Sequence, residues 1–172
     1  LAVLERCLAR VRAGRPVRAV VAGAPGIGKT ALVEHFLGAA VHRSPSPLVL
    51  RGRCYERQAI PYNGFDQVME AFGEALSRMD LFDAAQLLGK EVQELKWIFP
   101  AVGLDRAGEE AMDFGAALPV ERRQRAFRAV KTVLRRASAD RPLILFLDDV
   151  QWGDVDTVEL LLEIVSPPEP CA

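Results

Sequence analysis

Residues 23–30 read Gly-Ala-Pro-Gly-Ile-Gly-Lys-Thr. Gly23, Gly28, Lys29 and Thr30 fit the pattern G-x-x-x-x-G-K-[ST], a phosphate-binding loop. The flanks fit as well. Arg18 to Ala22 reads as a short buried strand entering the loop. Ala31 to Val41 reads as a helix leaving it, with Leu32, Val33, Phe36, Leu37, Ala40 and Val41 on one apolar face. The chemistry follows from the residue types. Glycines allow a tight turn whose N–H groups point at phosphate oxygens. A helix that starts at the loop aims the positive end of its dipole at the same point. The expected binding set is therefore Gly23, Ala24, Pro25, Gly26, Ile27, Gly28, Lys29 and Thr30. Lys29 would reach the β- and γ-phosphates, and the Thr30 hydroxyl would ligate Mg²⁺.

The rest of the composition bounds the class. At 172 residues, half of them hydrophobic, the chain suits one α/β domain with a sizeable core. A formal charge of −1 argues against a generic basic surface for nucleic acid. No apolar run approaches the roughly 20 residues that span a bilayer. Cys7, Cys54 and Cys171 are odd in number and far apart, without a C-x-x-C pair. That usage predicts a reduced, cytoplasmic protein, with Cys54 a small core residue. His35 and His42 stand alone, with no partner cluster to make either a ligand or a base.

Further along, Val3 to Ala13 predicts a helix with Val3, Leu4, Leu8 and Val11 as its stripe, ended by Gly14. Leu48-Val49-Leu50 begins a strand running towards Cys54. Phe65, Val68, Met69, Phe72, Leu76 and Met79 lie at helical spacing, so 64–79 predicts an amphipathic helix with a core-facing stripe. Residues 83–98 predict another helix, stopped by Pro100. Residues 103–119, acidic and rich in Gly and Ala, read as mostly irregular, so a helical insertion spans about 64–118. Residues 120–138 show a strong helical pattern, with Phe127, Val130, Val133, Leu134 and Ala137 on one face. The other face carries Arg122, Arg123, Arg125, Arg128, Lys131, Arg135 and Arg136. A nucleic-acid stripe would look like this; the favoured reading is a solvated outer face.

Pro142 to Asp149 carries the second chemical signal. Five consecutive large apolar residues, Leu143 to Leu147, suit a strand buried on both faces of a parallel sheet. The acids at its end would sit at the carboxyl edge, where open α/β sheets bind ligands. The 143–149 segment looks like a Walker B strand, in which Asp148 holds Mg²⁺ and Asp149 stands where many ATPases carry a water-orienting Glu. The Asp side chain is one methylene shorter. Asp154 or Asp156 is placed to cap a helix from Val155 to Val165, with Glu159 a capping-box partner for Asp156.

The GAPGIGKT loop, RGRCYERQAIPY at 51–62 and LILFLDDVQWGDVDTVELL at 143–161 together resemble an AAA-type ATPase domain, of the origin-recognition-like group in the STAND class of signalling ATPases. The D-D-x-Q-W-x-D pattern at 148–154 is the selective part. The resemblance implies a three-layer P-loop NTPase fold with a mostly parallel sheet, ATP and Mg²⁺ as cofactors, and a nucleotide switch with slow hydrolysis. Lys29 and Asp149 are then the catalytic residues, and Thr30 and Asp148 the metal ligands. It also implies partners: fused kinase, cyclase or DNA-binding modules, helical repeats, and ATP-dependent oligomers.

The same resemblance brings expectations about what lies outside the chain. The Gly-Arg-Glu box usual before the first helix, and the strand bearing a polar sensor, fall outside residues 1–172. The usual strand order puts that sensor strand between the loop strand and the 143–149 strand. The expectation is a fragment of marginal stability whose sheet lacks its central strand. Among functions, an ATP-hydrolysing switch leads. A non-hydrolysing nucleotide scaffold that recruits partners comes second. A small-molecule kinase is disfavoured for want of an acceptor site, and an origin-type DNA-binding ATPase rests on the basic helix alone.

Overall fold

The computed structural model describes residues 1–56, 61–102 and 120–166. Its elements run α1 (Ala2–Arg12), α2 (Lys29–Ala40), β1 (Leu48–Arg53), α3 (Phe65–Ser77), α4 (Leu81–Leu88), α5 (Val92–Ile98), α6 (Val120–Ala137), β2 (Leu143–Asp148) and α7 (Val155–Val165). The irregular reading of 103–119 lies outside the described residues.

The two strands pair in parallel, with Leu48 opposite Leu143 and Arg53 opposite Asp148. Alternation then sorts their side chains to two faces. Leu48, Leu50, Leu143, Leu145 and Leu147 face the larger core, built with α3 to α7. Val49, Ile144 and Phe146 face a smaller one, formed by Leu8 of α1 with Val33, Phe36, Leu37 and Ala40 of α2. The sheet therefore lies between two helical layers, as the sequence leads one to expect. Phe65, Phe72, Met69, Leu95 and Leu134 are almost wholly buried. Each contributes about 1.5–3 kcal/mol relative to an exposed position.

Three expectations are corrected. Residues 18–22 form no strand. Val21 packs on the smaller core while Val20 is 89% exposed, so the segment keeps an inward residue but has no ladder. A strand needs a hydrogen-bonded neighbour, and among the described residues β2 pairs with β1 alone. Second, the helix expected over 83–98 is two helices. Gly89, at φ 57, ends α4, and a 3₁₀ turn over Gly89–Glu91 leads into α5. Only glycine adopts such a backbone routinely. Third, Leu32 and Val41 are on the exposed side of α2, and Val3 on that of α1.

The basic face of α6 is largely paired. Arg123 binds Asp156 (2.7 Å) and Glu159 (3.2 Å) of α7. Arg125 meets Glu94 of α5 at 3.2 Å, and Arg136 meets Glu91 at 2.8 Å. Lys131 donates to the Ser166 carbonyl (2.8 Å), and Arg122 stacks on Trp97, 3.3 Å from the ring centroid. These cations tie helices together, so much of the face expected to be solvated is instead engaged by neighbouring elements. Because Glu159 and Asp156 serve Arg123, the capping box read at Asp156 is not formed; Asp154 caps α7 instead, accepting from Thr157 N–H at 2.8 Å.

Candidate functional site

The loop of residues 23–28 opens directly into α2. Gly26 (φ 77) and Gly28 (φ 94) take left-handed backbone, and Gly28 is the residue before the first helical position. The N–H groups of the first turn of any helix lack internal partners, so the loop and helix present donors to whatever lies in front of them. Lys29 turns its Nζ back onto the loop, donating to the Gly23 and Ala24 carbonyls at 3.1 Å each. The amine thus hangs over the loop with no carboxylate holding it among the described residues.

Thr30 lies one position further on. Its Oγ1 donates to Asp148 Oδ2 at 2.9 Å, across 118 positions of sequence. Asp148 is the last residue of β2, and its Oδ1 accepts from the Asp149 N–H at 3.0 Å. The loop, the start of α2 and the carboxyl end of the sheet therefore meet at one place. Of the expected site residues, Gly23 and Ala24 through Lys29, and Thr30 and Asp148 through their hydroxyl–carboxylate contact, are brought together. Pro25 and Ile27 stand exposed on the loop.

Asp149 is at φ 53, ψ 38, a left-handed residue that precedes the 3₁₀ turn Val150–Trp152. Aspartate tolerates this backbone better than most residues. Its side chain is occupied on both oxygens. Arg53, at the end of β1, donates to Oδ2 from Nε (3.0 Å) and from its terminal nitrogen (2.8 Å). Gln151 donates to Oδ1 at 3.2 Å. Sequence reasoning passed over Arg53. The available signal was its place at a strand end, beside a strand that ends in acids. Gln151 is thereby a partner of Asp149 within the turn. Trp152 sits at this mouth, 45% exposed.

Behind the turn lies a polar knot. Asp154 Oδ2 accepts from Asn63 N–H (2.7 Å) and Thr157 Oγ1 (2.8 Å). Burial alone would raise the Asp154 carboxyl. The donors Thr157 N–H, Asn63 N–H, Thr157 hydroxyl and Tyr62 N–H outweigh it and hold the group below its usual value. Cys54 next to it is buried, and burial followed by the nearby aspartates pushes its thiol up to about 11. It is a packed thiol, not a nucleophile.

The residues present fit a magnesium-bound nucleotide. Thr30 Oγ1 and Asp148 Oδ2 are hard oxygen donors already in contact, the kind of donor Mg²⁺ selects. Among the described residues no group of three or more His, Cys, Asp or Glu could hold a metal alone. A metal here would draw further ligands from phosphate and water, as Mg²⁺ commonly does.

Helical layers on both faces of a parallel sheet, with a glycine loop opening a helix beside a strand-end carboxylate, define the P-loop class of nucleotide-binding domains. Within that class the chain belongs to the AAA ATPase domain family, whose model matches residues 1–170. No curated protein and no solved structure matches the chain. Family membership implies nucleotide binding. No helix among the described residues is long and apolar enough to cross a membrane.

Proposed function

We propose that the chain binds ATP with Mg²⁺ at this edge and hydrolyses it slowly, as a nucleotide switch within a larger signalling or regulatory protein. The observation that carries the reading is the 2.9 Å contact between Thr30 Oγ1 and Asp148 Oδ2. It joins the residue types needed for the metal. In this reading the loop amides and Lys29 neutralise phosphate charge, Lys29 leaving the Gly23 and Ala24 carbonyls to do so. Thr30 and Asp148 hold Mg²⁺. The metal supplies charge neutralisation on the phosphates when bound. Asp149 orients the attacking water once its carboxylate is released from Arg53. Partner domains such as a kinase, a cyclase, a DNA-binding module or helical repeats, and ATP-dependent oligomerisation, belong to the same proposal.

A second reading is favoured by one observation. Both Asp149 oxygens are already bonded to this chain's own Arg53 and Gln151. A carboxylate that stays so engaged leaves a non-hydrolysing scaffold that holds nucleotide and recruits partners. Multiple-turnover phosphate release separates the two. The switch reading expects release by the parent chain and its loss in Asp149→Asn with ATP affinity retained. Equal release by parent and variant would remove Asp149 from the mechanism, and no release by the parent would favour the scaffold.

A further inference from the structure

The turn carrying Asp149 is anchored at one end by β2. Its other end is held by a residue far away in sequence. Asn63 is 2% exposed. Its Nδ2 donates to the Trp152 carbonyl (3.3 Å) and to the Tyr55 carbonyl (2.9 Å), while its Oδ1 accepts from Tyr55 N–H (3.2 Å). Its own N–H donates to Asp154 Oδ2 (2.7 Å), and its carbonyl accepts from Cys54 Sγ and Thr157 Oγ1 at 3.1 Å each. One buried residue therefore joins the end of β1, the entry to α3 and the turn 149–154.

The side-chain amide matters for this. It offers an acceptor and two donors at once, which a carboxylate or a hydroxyl cannot. Little around it can give way. A Cβ on Gly64 would lie 2.9 Å from Cys54 Sγ, and one on Gly153 would lie 3.2 Å from the Val150 carbonyl oxygen. The neighbouring Tyr62 is itself held at φ 64.

We propose that Asn63 is a positioning residue for Asp149. By holding the Trp152 carbonyl and the Asp154 carboxylate, it fixes the left-handed turn that sets the Asp149 side chain at the end of β1. The proposal rests on the reading of Asp149 as the residue that orients water.

Asn63→Asp tests it. The substitution keeps the size and the acceptor for Tyr55 N–H, removes both side-chain donors and adds a carboxylate near Asp154. Three quantities are measured: Mg-ATP affinity by calorimetry, multiple-turnover phosphate release, and acrylamide quenching of Trp152. The quenching uses a Trp97→Phe background, which leaves Trp152 the one tryptophan of the sequence. Affinity is expected to stay within about threefold, because Lys29, Thr30 and Asp148 are untouched. Turnover is expected to fall by about tenfold or more, since a small misplacement of a reacting group is costly. Quenching of Trp152 rises as the turn loosens. Leu88→Ala in α4 is the control for lost stability: it lowers the melting temperature and leaves the ratio of turnover to affinity and the Trp152 quenching unchanged. Asn63→Ser, read by the same three measurements, replaces Asn63→Asp if the latter does not melt cooperatively. Unchanged quenching, turnover equal to the parent's, or affinity and turnover falling in proportion would overturn the assignment. If the parent itself shows no turnover, the water-orienting reading fails, and quenching alone decides whether Asn63 fixes the turn.

Discussion

The Thr30 hydroxyl and the Asp148 carboxylate are 2.9 Å apart, although 118 positions of chain separate them. That distance brings the glycine loop and the strand-end acid into one site. Thr30→Val should weaken Mg-ATP binding by about tenfold, the loss of one charge-assisted interaction. Asp148→Ala should bind ATP equally well with and without EDTA. Retention of a metal-dependent increase in affinity by Asp148→Ala, measured by calorimetry, would remove Asp148 as a ligand.

Asp154 links pH to stability. Its carboxyl is held below the usual aspartate value in the fold. The unfolded chain titrates near about 3.9, so the stabilising contribution is complete above that pH. It is lost as the pH falls through the lower folded value. Asp154→Ala removes the cap of α7 and should cost about 1–2 kcal/mol near neutral pH. Urea titrations from pH 7 down to about pH 2 should show the parent and variant stabilities converging at the acid end. A constant gap at every pH would contradict this account.

Among the described glycines, Gly52 leaves the least room for a Cβ. A Cβ there would meet the Gly64 carbonyl oxygen at 1.9 Å, and that atom is backbone. Gly52→Ala must push β1 from the entry to α3 and should destabilise the chain by about 3 kcal/mol or more. Gly38→Ala, with nothing within 4 Å of its Cβ, should be neutral or mildly stabilising. Equal urea midpoints for the two variants would refute the packing argument.

Arg123, Arg125 and Arg136 of α6 are bonded to acids of α5, α7 and the turn before α5. Nucleic acid would have to displace those partners. Titration of duplex DNA at low salt should show no saturable binding; tight binding with a steep inverse salt dependence would contradict the pairing.

How far the sequence discloses the structure depends on what each signal requires. The stripe of α3 was legible because one face of one segment carries the information: Phe65, Val68, Met69, Phe72 and Leu76 are all buried as their spacing demands. The partnership of β1 with β2 follows less directly, because a strand is completed by its neighbour. Residues 18–22 are apolar enough for a strand but have no ladder, so composition alone misled. Gly89 was a stop signal inside a helical pattern, and its φ of 57 is what splits the segment. At the site, Thr30 and Asp148 could be paired in advance because motif chemistry requires both. Arg53 and Asn63 could not. Their roles come from tertiary contacts to Asp149 and to Trp152, which no local pattern encodes.

Calorimetric titration of Mg-ATP into the parent chain and Lys29→Ala tests the central claim most directly. The account predicts saturable binding by the parent and a loss of about thirtyfold or more in the variant, the consequence of removing the cation that meets the phosphates. Equal affinity in the two proteins would contradict it.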